Sequence, residues 1–155
     1  MSTDQRISDQ LAIERLNADF RQFLDEGDTR AFCALFTEDA LYSNGPRQAE
    51  GREAIAAFMQ GRTAQGPRTT RHIYSGLKID FEGDDRARGI SVWMSFAWNG
   101  EPPISMAEPF LVADMEDVYV KQGGQWLIAE RRITPIFRNP SVPPPGAGAQ
   151  GAQQQ

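Results

Sequence analysis

The chain has 155 residues, close to the usual domain size of about 100–150, so one folded unit is expected rather than a two-domain enzyme. Its 16 Lys and Arg stand against 21 Asp and Glu, and a net charge of −5 repels phosphate backbones and anionic lipid, which excludes nucleic acid and membrane surfaces as partners. With one cysteine, Cys33, and one histidine, His72, no intramolecular disulfide can form and neither a zinc nor a non-haem iron centre finds its ligands, so no cofactor and no metal is expected.

The N-terminal MSTDQRISDQ is polar, no apolar run approaches the ~20 residues of a membrane span, and no secretory signal is visible, so a soluble, cytoplasmic protein is expected. Ser8 can cap a helix in which Ile13, Leu16, Phe20, Phe23 and Leu24 recur at three- and four-residue steps, and Gly27 ends it. Asp28 can cap a short helix carrying Phe32, Leu35 and Phe36, after which ALYS reads as a strand and NGPR as a turn. A third helix after Gly51 sets Ile55, Phe58 and Met59 on one side. From Thr69 the pattern turns to β, in TTRHIYSGLKIDF, RARGISVWMSFAW, FLVADMEDVYV and QWLIAERRITPIF, with KQGGQ as a hairpin signal between the last two. The stretch 139–155, NPSVPPPGAGAQGAQQQ, has no charge and is dense in Pro, Gly and Gln, which reads as a flexible tail and leaves residues 1–138 as the single domain.

Helices followed by a run of antiparallel strands predict an α+β fold, with helices packed on one face of a curved sheet that can enclose a pocket. Trp93 and Met94 are adjacent, and FLVADMEDVYV is partly apolar on both faces. A second covered face follows, and with it a homodimer or higher homo-oligomer.

With metals demoted, proton transfer centred on His72 is the chemistry to look for. An imidazole is a natural general base near neutral pH, and a carboxylate can fix its tautomer. Asp25 is the candidate partner: it ends an apolar helix, where the helix dipole disfavours an acid, and it lacks the capping duty of Asp28. Taken alone, Tyr42, Tyr74, Trp93 and Trp98 read as core or interface before ligand contacts. Cys33 reads as packing, and the pair Arg131 and Arg132 as a solvated face with a salt bridge.

The segments DEGDTRAFCALFTEDALYSNG, TTRHIYSGLKI and DVYVKQGGQWLIAERRI resemble the SnoaL-like branch of the nuclear transport factor 2-like superfamily over roughly residues 8–137. The resemblance implies a cystatin-like cone, a strongly bent antiparallel sheet wrapped round three N-terminal helices with a deep apolar pocket. Within it the chain is similar to cofactor-free lyases of the scytalone dehydratase, bile acid 7α-dehydratase and dehydrochlorinase types, whose Asp–His dyad falls on Asp25 and His72. That implies a dehydratase-like lyase or isomerase acting on a small hydrophobic cyclic or aromatic substrate. Phe20, Tyr42, Asn44, Trp93, Met115 and Glu130 are the implied substrate-binding positions. Phe20 stands where those lyases carry a polar helper, Tyr42 and Asn44 are its candidate substitutes, and Glu130 falls where one of them places a cation.

The isomerase type with an aspartate base on the first strand ranks lower, because LYSNGP holds no acid there. Two other readings remain. One is a non-catalytic β-type subunit of an aromatic-ring dioxygenase, which FCALFTEDALYSNGP and TTRHIYSGLKI also resemble. The other is a plain ligand-binding module, since the fold alone implies no function.

Overall fold

Apolar side chains at Ile13, Leu16, Phe20 and Leu24 share one stripe of a helix, and all four are buried on the long helix α1, Thr3–Glu26. The helix starts earlier than the Ser8 cap predicted, because Ser2 accepts from the Gln5 N–H (3.2 Å) and the first turns are carried as an exposed extension, with Ile7 and Leu11 open to solvent. It stops where predicted. Gly27 adopts a left-handed φ of 72° and returns its N–H to the Phe23 carbonyl. Asp28 then accepts from the Ala31 N–H (2.9 Å) and starts α2, Thr29–Cys33. That helix is shorter than predicted, and Phe36 belongs to the following strand.

The coordinates are a computed structural model, which describes residues 2–105 and 108–147. Its strands are β1 (Phe36–Asn44), β2 (Arg47–Glu50), β3 (Arg68–Phe81), β4 (Arg86–Asn99), β5 (Leu111–Gln122) and β6 (Gln125–Arg138), with α3 (Arg52–Thr63) between β2 and β3. They form one sheet in the order β2-β1-β6-β5-β4-β3. The α+β class holds, and the sheet is mixed: β1 lies parallel to β6, pairing Leu41 with Glu130 and Asn44 with Ile133, while the other pairs are antiparallel. Register shifts at Ser75/Lys78, Val112/Ala113 and Val118/Tyr119 bend the long strands, and the sheet curls around α1. Residues 139–147, inside the stretch read as a tail, lie along the sheet end: Val142 is buried, and the Asn99 amide donates to the carbonyls of Pro144 (2.9 Å) and Ala147 (2.6 Å). The rest of that stretch, 148–155, lies outside the described residues.

The core sits between α1 and the concave face of the sheet. Phe20 is its hub, with ring centroids 4.9 Å from Phe32, 6.1 Å from Phe36, 6.2 Å from Tyr42 and 5.7 Å from Trp93. Toward the far end, Gly89 on β4 makes room for Tyr119: a Cβ there would stand 2.7 Å from Tyr119 Cε2. The ring cannot retreat, because its hydroxyl donates to Asp117 (2.6 Å) and accepts from Asn17 (3.0 Å). Gly89→Ala is therefore expected to cost about 1–3 kcal/mol by overpacking. Gly61→Ala on α3, where a Cβ meets nothing within 4 Å, should instead gain roughly 0.5–1 kcal/mol. Urea midpoints of the two variants check this, and equal midpoints would refute it.

Candidate functional site

Where α1 ends, its last turn faces the start of β3, and Asp25 meets His72 across 47 residues of sequence. Asp25 Oδ1 lies 2.6 Å from His72 Nδ1 and accepts from the Thr70 hydroxyl (2.8 Å), while Oδ2 accepts from the His72 backbone N–H (3.1 Å). Thr70 and His72 both point inward because residues two apart on a strand share a face. The carboxylate therefore grips the ring and the backbone of one residue together.

His72 is 7% exposed, and its ring stacks on Trp93, centroids 4.8 Å apart and planes 25° apart. Burial pushes the imidazole below its ordinary pKa. The bond and charge of Asp25 push back, and the charges of Arg62 and Arg21 add to the fall. Burial alone would raise the Asp25 carboxyl, but the His72 and Thr70 hydrogen bonds outweigh it and hold it below the usual carboxylate range. Near pH 7 the pair is therefore a carboxylate beside a neutral imidazole. Nδ1 then carries the proton, and the Nε2 lone pair is free, with no hydrogen bond to it from the described residues.

The remaining predicted positions separate into two groups. Phe20, Tyr42, Trp93 and Met115 are each at most 2% exposed in the core, where Trp93 touches His72 and Phe20 touches both Trp93 and Tyr42. Asn44 is half-buried two residues along β1 from Tyr42, whose hydroxyl pKa is raised by burial, so that the hydroxyl stays a neutral donor. Glu130 does not join them: it pairs with the exposed Arg132 and faces Arg88 on the outer surface.

Arg131 takes the inward position instead, and the reading of Arg131 and Arg132 as one solvated face is corrected here. The Arg131 side chain is 0% exposed and binds Asp117 through two bonds, Nε to Oδ1 (2.7 Å) and Nη2 to Oδ2 (2.8 Å). Nη2 also donates to Asn17, the guanidinium lies 4.1 Å over the Phe20 ring, and Nη1 has no partner among the described residues. Burial opposes its charge, but the adjacent Asp117 more than offsets this and keeps it protonated. His72 stacks on Trp93, Trp93 meets Phe20 edge-on, and Phe20 carries the Arg131 guanidinium on its face, so ring contacts connect the base to the cation.

Arg62 and Thr70 were also missed. Arg62 Nη2 donates to Thr70 Oγ1 (3.2 Å), which extends the pair into a chain Arg62–Thr70–Asp25–His72. A cavity of about 160 Å³ opens beside Asp25, between the end of α1 and the loop after α3. A larger open groove of about 620 Å³ runs between α2 and α3 past Cys33 and does not reach His72. Among the described residues no group of three or more His, Cys, Asp or Glu is placed to hold a metal ion, and no helix is long and apolar enough to cross a membrane.

No curated protein sequence matches the chain. Among solved structures it is similar to a protein from Novosphingobium aromaticivorans provisionally described as a scytalone dehydratase, with 26% identity over 98% of this chain and 100% of that one and a TM-score of 0.80. A Nostoc punctiforme protein of unknown function with a cystatin-like fold is 26% identical, covering 87% and 94% of the two chains at a TM-score of 0.71. A hexachlorocyclohexane dehydrochlorinase shares the fold at 18% identity and a TM-score of 0.73, over 91% of this chain and 100% of that one. The SnoaL-like domain family matches residues 5–132, nearly all of α1 through β6, and the chain therefore belongs to that family, within the nuclear transport factor 2-like superfamily.

Proposed function

We propose that the protein is a cofactor-independent, dehydratase-like lyase or isomerase in which His72 abstracts a proton from carbon and Asp25 holds the imidazole in register. The observation that carries this reading is the 2.6 Å contact of Asp25 with Nδ1, which commits that nitrogen to donation and leaves Nε2 as the basic nitrogen. The resemblance to a protein described as a scytalone dehydratase supports the same class.

In the step envisaged, Nε2 takes a proton from a carbon next to a carbonyl or an activated ring position. The C–H electron pair becomes a carbon–carbon double bond as hydroxide departs with its own pair and takes the imidazolium proton to leave as water, or in an isomerisation it shifts along the ring and the imidazolium returns its proton to another carbon. The imidazolium so formed is offset by Asp25, and negative charge on the substrate oxygen meets the donors Tyr42 and Arg131 Nη1. The Trp93 ring, stacked on His72, gives the base an apolar neighbour that suits a small cyclic or aromatic molecule.

The protein acts in the cytoplasm as a homo-oligomer in this reading. Ile73, Met94, Val112 and Phe137 stand in register across β3, β4, β5 and β6, and Ile73 and Phe137 are 52% and 69% exposed, an outer row suited to a second copy.

The test is a panel of cyclic β-hydroxyketones and hydroxylated aromatics, followed by absorbance of the conjugated product. The wild-type chain should turn over a member of the panel, and His72→Ala should lose about 10²–10⁴-fold in rate on it. Full turnover by His72→Ala would sink the reading.

A further inference from the structure

Two arginines share the small cavity beside Asp25 and neither is neutralised. Arg62 and Arg68 both line it, and no carboxylate among the described residues lies within ion-pair distance of either guanidinium. Arg62 donates through Nη2 to Thr70 (3.2 Å), and Arg68 spends Nη1 on Asn99 Oδ1 (2.6 Å) and the Pro143 carbonyl (3.0 Å). The other nitrogens of the two forks have no protein acceptor among the described residues. The acids at the rim answer them only in part: the Asp25 charge acts on Arg62, but its oxygens are taken by His72, Thr70 and Arg21, and Glu26 is exposed and takes the Gln22 amide (2.9 Å). Burial lowers both arginine pKa values, and for Arg68 the like charge of Arg62 lowers it further, a cost that a bound anion would remove.

We infer that Arg62 and Arg68 dock an oxyanion, carboxylate or phosphate, carried at one end of the substrate whose reacting carbon reaches His72. The inference rests on the proton-abstraction reading and narrows its substrate class to small cyclic acids or phosphate esters. Two guanidinium forks suit a multi-oxygen anion better than a hydroxyl or carbonyl. The volume agrees: about 160 Å³ is below the ~300 Å³ at which whole-ligand pockets begin, so this space takes a head group rather than a whole substrate. Reach agrees too. Arg62, Thr70, Asp25 and His72 are consecutive links of one hydrogen-bonded chain at 3.2, 2.8 and 2.6 Å, so a docked anion lies a few atoms from the carbon that the base attacks. The same chain makes Thr70 a positioning residue, since its hydroxyl ties the docking arginine to the base's partner.

The experiment is calorimetric titration of the full chain with cyclohexanecarboxylate, cyclohexyl phosphate and the neutral cyclohexylmethanol. At least one anion should bind about tenfold more tightly than the alcohol, and Arg62→Gln and Arg68→Gln should each remove about that factor. Preference for one anion over the other identifies the head group. Arg132→Gln, exposed on the outer face, should leave binding unchanged. Should a variant fold poorly, the wild-type protein still decides, because raising salt from about 50 to 500 mM should weaken the anion and spare the alcohol. Equal affinity for anion and alcohol, or retention of the preference in both arginine variants, would overturn the inference. His72→Ala should keep the anion preference, so docking can stand if proton abstraction fails. Conversely, His72-dependent turnover of a neutral substrate without anion preference overturns docking alone.

Discussion

Asp25→Asn is expected to slow turnover by about 10²–10⁴-fold while leaving the fold in place, an effect of the order expected for a general base in the wrong tautomer. The argument is one of hydrogen-bond direction. Asp25 Oδ2 accepts from the His72 backbone N–H, and that position must remain an acceptor in any folded variant. An asparagine therefore keeps its oxygen there and turns its NH₂ toward the ring, where Oδ1 now sits 2.6 Å from Nδ1. The Thr70 hydroxyl can rotate to accept from the same NH₂. Facing a donor, Nδ1 must give up its proton, and the proton moves to Nε2, where a base is needed.

The pH profile gives a second reading of the same variant. In the wild-type protein His72 is depressed below its ordinary value near 6.5 by burial, against the raising influence of Asp25. The rate should therefore climb with pH through a midpoint below about 6.5 and stay level above it, the midpoint belonging to the coupled pair. Loss of the carboxylate removes a raising influence, so the residual activity of Asp25→Asn should show its limb at still lower pH. A wild-type midpoint above about 6.5, or an Asp25→Asn protein with full turnover, would contradict this account.

The pairing of Asp25 and His72 was legible because both ends of the contact carry local signals. The Gly27 stop fixes the last turn of α1, and the chain offers only one histidine. What was not legible depends on partners distant in sequence. Period-two counting from Trp126 and Ile128 puts Glu130 inward and Arg131 outward. The structure reverses them, because Tyr119 pairs with Ile128 while Val118 pairs with Glu130, so Ala129 is skipped and the alternation restarts one residue later. β5 itself keeps its alternation, with Asp117 and Tyr119 inward and Val118 opposite Glu130 and Arg88. The parallel pairing of β1 with β6 was hidden for a related reason: strand direction across a sheet is set by topology, and no residue of LYSN announces it. Ser8 misled for the opposite reason, since a capping residue is a sufficient start signal only where the preceding turn has no better one, and Ser2 is better placed.

Asp117→Leu should be the most destabilising single change, by about 3–5 kcal/mol out of a total that for such a domain is about 5–15 kcal/mol. Asp117 and Arg131 are both 0% exposed, and the carboxylate accepts from Nε, from Nη2 and from the Tyr119 hydroxyl. Its removal strands a guanidinium that cannot reach water, and the Tyr119 hydroxyl loses its acceptor as well. Arg132→Met, which breaks the exposed pair with Glu130, should shift stability by less than about 0.5 kcal/mol. The double variant Asp117→Leu with Arg131→Met exchanges the buried charges for apolar side chains of similar volume and should recover most of the loss. That recovery separates two roles of Arg131. If the cation only holds the core, the double variant regains both its urea midpoint and its turnover. If the unpartnered Nη1 also receives negative charge from the substrate, the double variant folds but stays about 10²–10³-fold slow, as for loss of one oxyanion donor. The second outcome is expected, because Nη1 is the one nitrogen of this guanidinium without a partner among the described residues, and the same guanidinium packs on the ring that also meets Trp93. A stable double variant with wild-type turnover would remove Arg131 from the chemistry and leave Tyr42 as the donor.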